Sequence, residues 1–317
     1  MFSTWVVHQA DNICFDAGDG LVSKLRQKVV RINTMAISHS HRDHVAGLFM
    51  FLNVRLHQEG AIEVAYPRDS RFFRDLERYL PSFERQFTDR VTMRPLMPGD
   101  MIPLAKKNLF MEAFASHHYR LRDNLVRSLG YHLVEKKRKV RGPLRHLSQQ
   151  EIFALIRERG PNEVLEDVQE RYLTFSGDTS PLAPEVFEGT KLLIHECTFL
   201  DPADAEAEGG EARYHQHSHL DAVMRHAVEG QVGGLGLYHF STRYTSHDIL
   251  AAVQAAIQRY KPTFPVSIAL PGAFVDDLMR RDINAQPAEP AEAPEAQAPS
   301  AEAGDNAEPE TDCRSAE

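Results

Sequence analysis

Ser38-His39-Ser40-His41-Arg42-Asp43-His44 places three histidines and one aspartate within six positions. Just upstream, "TMAIS" (34–38) reads as a buried strand that delivers the chain into His39. Downstream, "HVAGLFMFLNVRLH" (44–57) resumes as an apolar helix. A histidine cluster on a loop between a strand end and a helix lies where layered α/β proteins place their chemistry. The same residues would also suit a polar turn. What decides between the two is whether further ligand-type residues stand at other strand ends.

Outward from this stretch, strands and helices alternate. Apolar runs at 5–7 and 12–15 lead into the Gly-rich turn "DAGDG" (16–20), and "LVSKLRQKVV" (21–30) has helical spacing. "IEVAYP" (62–67) is a strand, and "DSRFFRDLERYLPSFERQF" (69–87) is a helix up to Pro81. "LFMEAFASHHY" (109–119) alternates like a strand running into two histidines, and "SLGYHLVEKKR" (128–138) is another strand. "SQQEIFALIRERG" (148–160) is an amphipathic helix opened by a Ser148/Glu151 capping box, and it reads as packed against the body. "RYLTFSGDTS", "KLLIHECTF" and "GLGLYHFS" are strands ending in polar residues; "HLDAVMRHAVEG" and "DILAAVQAAIQRYK" are helices. "FPVSIALPGAF" (264–274) reads as a final strand pair. This alternation predicts a layered α/β fold.

The 317 residues, 42% of them hydrophobic, can build one large or two small domains with a real core. There is no run of about 18 apolar residues and no basic-then-apolar leader, so the expectation is a protein with no membrane partner. Cys14, Cys197 and Cys313 stand far apart and suggest free thiols in a reducing, cytoplasmic setting. Most of the net charge of −9 comes from the last stretch: nine acids and one arginine follow Pro287, which leaves the rest near −1. That Ala/Pro/Glu-rich segment has too little apolar surface to offset ordering. The expected organisation is a catalytic body over 1–280 and a disordered acidic tail over 281–317. The acidic total therefore does not argue against a nucleic-acid ligand.

Collecting ligand-type residues at the predicted strand ends gives His39, His41, Asp43, His44, then His117 or His118, Asp178 and His239. Imidazole and carboxylate suit zinc, and the lack of cysteine among them speaks against an all-thiolate structural site. Seven groups exceed one tetrahedral ion but suit two that share a carboxylate. Such pairs, about 3.5–4 Å apart, activate water and clamp a transferring phosphoryl group.

At this point the chain resembles the metallo-β-lactamase superfamily, in H-x-H-x-D-H at 39–44, "FSGDT" at 175–179 and the late strand-end His239. The resemblance implies a four-layer αβ/βα sandwich with a metal site at one edge. Further segments are similar to the ribonuclease Z branch: "LLIHECTF" (192–199) to its H-E-A-T-F segment, "HSHLDA" (217–222) to its His-Ser-Thr segment, "LGLYHFSTRY" (235–244) to L-x-H-F-S-x-R-Y, and "FDAGDG" to F-D-x-G-E-G. By that resemblance His39, His41 and His118 hold one zinc; Asp43, His44 and His239 hold the second; and Asp178 bridges both. Manganese is the alternative metal. The resemblance also favours His118 over His117, since the family places this ligand four residues after the aromatic of its A-F pair, here Phe114.

The resemblance also implies an RNA endonuclease acting on precursor tRNA, and a homodimer; a hydrolase of a small phosphodiester or other ester is the alternative. Asp43 would orient the attacking water. His217 would protonate the leaving oxygen, held by Glu196; a supporting ion pair is the competing role for these two. Arg243 and Ser241 would meet substrate phosphate. The basic run that includes Lys137, Arg138, Lys139 and Arg141 would supply an RNA-gripping arm, and the family's N-terminal F-L-G-T loop is absent or replaced.

Overall fold

The computed structural model describes residues 3–119, 124–208 and 216–285. Two sheets organise it. The first runs, in spatial order, β1 (Val6–His8), β2 (Ile13–Phe15), β3 (Thr34–Ala36), β4 (Ile62–Pro67) and β5 (Val91–Leu96), parallel except for the β1–β2 hairpin. The second comprises β6 (Met101–Pro103), β7 (Leu109–Ala115), β8 (Leu129–Val140), β9 (Leu165–Phe175), β10 (Leu193–Glu196), β11 (Leu235–Tyr238) and β12 (Val266–Ile268). There β9 to β12 are parallel neighbours, and β6 to β9 pair antiparallel.

Three buried clusters show how the layers stack. Ile13, Phe15, Ala36 and Ala65 of the first sheet pack against Met111, Tyr131, Phe175 and Ile194 of the second, with Phe15 and Phe175 stacked 4.9 Å apart. On the outer face of the first sheet, Cys14, Met35 and Val64 meet Leu48, Phe51, Leu52 and Phe73 from helices. On the outer face of the second, Leu193, Leu235 and Val266 meet Val223 and Met224 of helix Leu220–Glu229 and Ile249 and Val253 of helix Ser246–Tyr260. Alternate residues of one strand thus face different clusters, as the pleat requires: Cys14 faces one way, Ile13 and Phe15 the other. The result is helix, sheet, sheet, helix: the four-layer sandwich.

Several expectations need correction. Helix Arg71–Phe83 runs through Pro81. The lost amide bond falls in its last turn, where buried Leu80 and the Phe49–Phe83 contact at 5.0 Å hold the chain in place. Strands β5 and β6 add to the expected elements; β5 carries an arginine and Pro95, which an edge strand tolerates. The segment 264–274 forms one strand, not two: after β12 the chain leaves the sheet at Leu270-Pro271 and brings Phe274 against Trp5. Helix Gln149–Arg159 has the expected capping box but buries none of its side chains. It sits at the tip of the long β8–β9 hairpin, whose ladder runs out to Val140↔Leu165. Of the segment expected as tail, residues 281–285 are described and lie against β12, where the Ile283 amide donates to the Val266 carbonyl at 2.8 Å and Asp282 Oδ1 accepts from the Val266 amide at 2.9 Å; the rest of it lies outside the described residues.

Candidate metal centre

Both sheets deliver ligand-type side chains to one edge. The loop after β3 carries His39 and His41, with Asp43 and His44 in the short helix Arg42–Val45. The segments after β7 and β9 carry His118 and Asp178, and His239 follows β11. His39, His41 and His118 form one group whose ligand atoms lie within 4.8 Å of one another; Asp43, His44 and His239 form another. Asp178 stands between them, with Oδ2 at 3.3 Å from His44 Nε2, 3.4 Å from His239 Nε2 and 3.7 Å from His39 Nε2. His118 is fully buried in this cluster, whereas His117 is exposed.

Backbone strain helps to aim these groups. His239 has a φ of 67°, a left-handed conformation that a non-glycine residue holds only when its surroundings demand it. Gly177, beside Asp178, has a φ of 59°, and a Cβ there would come within 2.7 Å of Ser38 Cβ. The turn therefore seats Asp178 directly against the histidine loop.

A hydrogen-bond shell fixes the ring orientations. Asp16 Oδ2 pairs with His44 Nδ1 at 2.7 Å, and its carboxylate accepts from the Ser38 amide at 2.7 Å and the Ser38 hydroxyl at 2.9 Å. Because Ser38 Oγ donates to Asp16, it accepts from His39 Nδ1, 3.0 Å away. Both histidines thereby present a bare Nε2 to the centre. His118 Nδ1 donates to the Gln216 carbonyl at 2.9 Å, and Thr198 Oγ1 lies 3.1 Å from His239 Nδ1. Sequence reading passed over Asp16 and Thr198. The signal for Asp16 was present, an aspartate at a strand end before Ala-Gly, but it read as a turn residue.

Glu196 ties three loops together. It is fully buried and accepts from the amides of Thr179, Thr198 and Ser218, from the Thr198 hydroxyl, and from His217 Nδ1 at 3.0 Å. Burial opposes charge on His217, yet Glu196 and Asp178 outweigh it and raise its pKa to about 9. Its Nδ1 is engaged, so Nε2 is the atom left for a substrate.

The donor set fits metal ions. Among the described residues, His39 Nε2 and Asp178 Oδ1 are buried side-chain atoms with no hydrogen-bond partner, and both belong to residues of the cluster. A buried orphaned acceptor costs free energy unless something fills it. Burial and the neighbouring imidazoles push the His39 pKa well down, and burial takes His118 to about 3, so both keep a lone pair. On the other side burial is overcome by Asp178 and Asp16, which raise His44 well above its ordinary value. Positive charge is favoured there. The His/Asp clusters are thus compatible with a dinuclear metal site.

The remaining expected residues fall elsewhere. Ser241 and Arg243 lie on the rim beside His239, with Arg243 over the Phe199 ring at 5.4 Å and 3.9 Å from Asp204. Lys137, Arg138, Lys139 and Arg141 are not brought to the cluster. They sit near the far end of β8, roughly 30 Å from Leu129 at its site end, at about 3.3 Å per strand residue. Acids of the hairpin pair with three of them: Lys137 with Glu135 at 2.8 Å and Glu170 at 3.3 Å, Lys139 with Glu170, and Arg138 with Asp167 at 3.4 Å. Arg141 donates to the Asn162 carbonyl. The N-terminal segment does reach the centre: the Thr4 amide donates to the Asp43 carbonyl at 2.8 Å. No helix among the described residues is long and apolar enough to cross a membrane.

Residues 11–141 match the family model described as "Beta-lactamase superfamily domain". The chain is 26% identical to tRNase Z TRZ1 of Arabidopsis thaliana over 262 residues, covering 80% of this chain and 86% of that protein. It is 26% identical to the ribonuclease Z of Saccharolobus solfataricus over 283 residues, 81% of this chain and 86% of that one. Among solved structures it is similar to the metallo-β-lactamase fold protein YhfI from Bacillus subtilis, with a TM-score of 0.53, 15% identity, and 81% of this chain and 84% of the other covered. It is likewise similar to the short form of human tRNase Z, with a TM-score of 0.51, 22% identity, and 76% and 87% covered. These resemblances support a hydrolase. The chain carries the metallo-β-lactamase fold, and its sequence resemblance runs to the ribonuclease Z branch of that superfamily.

Proposed function

We propose that this protein is a dinuclear zinc-dependent phosphodiesterase of ribonuclease Z type, an RNA endonuclease acting on tRNA 3′ ends. The observation that carries the reading is the meeting of seven donor residues around two buried atoms that lack hydrogen-bond partners. His39, His41 and His118 would hold one ion; Asp43, His44 and His239 would hold the other; and Asp178 would serve both. When bound, two such cations, zinc or alternatively manganese, supply acidified water and a clamp for phosphoryl charge.

The chain's own residues would do the rest. Burial acts against the charge of Asp43, but the hydrogen bond with His239 and the charges of His44 and His239 hold its pKa at about 2. It therefore stays a carboxylate and can orient the attacking water and accept its proton. His217, protonated at neutral pH and steadied by Glu196, would give the Nε2 proton to the leaving 3′-oxygen. Ser241 and Arg243 would meet the phosphate next to the scissile bond. Lys137, Arg138, Lys139 and Arg141 would act at a distance, on the body of a large RNA. Their exposed ion pairs are weak enough for phosphates to displace. Buried free thiols at Cys14 and Cys197 suit a reducing, cytoplasmic setting.

The same ion pairing also favours a second reading, in which the hairpin contributes nothing and the substrate is a small phosphodiester. The test is cleavage of a 3′-extended precursor tRNA beside bis(p-nitrophenyl) phosphate, using zinc-loaded wild type and Asp43→Ala. Cutting at the tRNA 3′ end, abolished in the variant, supports the first reading; turnover of the diester alone transfers the site to small substrates. Sedimentation of the same preparation would test for a homodimer.

A further inference from the structure

A second feature opens directly beside the candidate metal centre. A cleft of about 490 Å³ runs between the N-terminal segment and the loop after β12, and His239 lies in its lining. That volume is typical of small-molecule sites, which span ~300–1,000 Å³. One wall is aromatic: the Trp5 and Phe274 rings stand 5.6 Å apart at 35°, and Phe274 is 44% exposed. The buried Tyr238 and His239 belong to its lining, as do the amide of Gln9, the ammonium group of Lys24 and the carboxylates of Asp19 and Asp276.

This combination suits a flat, partly polar ring better than an aliphatic chain. Aromatic side chains bind unpaired bases by stacking, which tolerates any base because each has a π-face. Gln9 can both donate to and accept from a base edge. Lys24 offers a point charge to a neighbouring phosphate. Because His239 belongs both to this lining and to the metal cluster, a ring held here is next to whatever is held there.

We propose that the cleft binds an unpaired nucleobase adjacent to the scissile phosphate, stacked on the Trp5–Phe274 wall, with Lys24 contacting the flanking phosphate. This assignment rests on the phosphodiesterase reading and adds to it a stated contact for the flanking nucleotide.

Trp5 is the single tryptophan of the chain, so its emission reports on this cleft directly. The full-length, zinc-loaded protein is titrated with ribonucleoside 5′- and 3′-monophosphates, which are not phosphodiesters, with excitation near 295 nm to avoid base absorption, and with ribose 5-phosphate as the base-free control. Saturable quenching is expected with the nucleotides and not with ribose 5-phosphate. Phe274→Ala and Lys24→Glu should each weaken the affinity at least fivefold; both positions are exposed, so the fold should survive, checked by far-UV circular dichroism. No quenching at millimolar nucleotide, equal quenching by ribose 5-phosphate, or unchanged affinity in both variants overturns the assignment. The readout is separate from turnover. A wild type that cleaves phosphodiesters but shows no quenching defeats only the cleft assignment, whereas quenching without any turnover defeats the phosphodiesterase reading and leaves a nucleotide-binding cleft.

Discussion

Asp16→Asn is a change of one oxygen to one NH2 group, and its expected effect can be worked out from the contacts of that side chain. The carboxylate takes three hydrogen bonds, from His44 Nδ1, the Ser38 amide and the Ser38 hydroxyl. An asparagine can keep Oδ1 on the Ser38 amide, but its NH2 then faces two donors. His44 must turn its Nδ1 lone pair outward, which puts the proton on Nε2. The Ser38 hydroxyl must accept from the amide, so it donates to His39 Nδ1 and drives that proton to Nε2 as well. Two of the proposed ligands would then point N–H groups at their ions. Loss of one such orienting partner costs ~10–100-fold in metal affinity; His39 and His44 would serve different ions, so each site should weaken by ~10–100-fold, or about 1.4–2.7 kcal/mol. The lost charge-assisted hydrogen bond also removes ~1.5–3 kcal/mol of stability. Zinc affinity is measured by competition with a chelating fluorophore, and folding by circular dichroism. Ser38→Ala is the control: it should weaken only the ion held by His39, His41 and His118. A folded Asp16→Asn protein within threefold of wild type at both sites would refute the argument.

Other expectations follow from the same geometry. His217→Ala should lower RNA cleavage by ~10²–10⁴-fold but affect bis(p-nitrophenyl) phosphate less than tenfold, because nitrophenolate leaves without an acid; equal losses on both would make His217 a purely structural group. Reversing Lys137, Arg138, Lys139 and Arg141 to glutamate should raise KM for RNA, flatten its salt dependence and leave the small diester untouched; an unchanged KM for RNA would place the hairpin outside recognition. Burial, aided by Arg171, depresses the His132 pKa to about 3, so the unfolded chain binds a proton there below pH 6.5 that the native state refuses. Stability should therefore fall as pH drops, by about 1.4 kcal/mol between pH 7.5 and 5.5 from this group alone. His132→Gln keeps a partner for Thr174 and should remove that part of the slope in urea titrations; an identical slope in the variant would show that His132 is not its source.

The compressed H-x-H-x-D-H stretch made the centre legible because its strand, loop and helix all lie within one short segment, and local pattern suffices for local structure. Asp16 was not legible, since its role depends on a contact with His44, 28 positions away, that only the finished β2–β3 pairing creates. The pairing of the basic run was not legible either. As a string it is uncompensated charge, but the β8–β9 ladder, with its irregularity at Leu133/Val134, sets acids of β9 across from it. The helix at 149–159 has an amphipathic pattern and a capping box, which fix that it is a helix but not what it packs against. Edge strands β5 and β6, with polar and proline residues on solvent-facing positions, offered no period to read.

The division of ligand-type residues between the sheets has a mechanical consequence. His39, His41, Asp43 and His44 are carried by the first sheet, and His118, Asp178 and His239 by the second. The centre is therefore a seam, and ions placed in it would act as rivets between two halves that otherwise adhere through side-chain packing and hydrogen bonds such as those from the Leu129 amide to the Ser38 carbonyl and from the Tyr131 hydroxyl to the Ile37 carbonyl. Each ion that binds the joined state and not the separated one adds RT ln(1 + [ion]/Kd) to the work of pulling the halves apart, about 4 kcal/mol at a thousandfold excess over Kd. The acts of closing the sandwich and completing the reactive centre would then be one event, and a chain that had not finished folding could not cut anything.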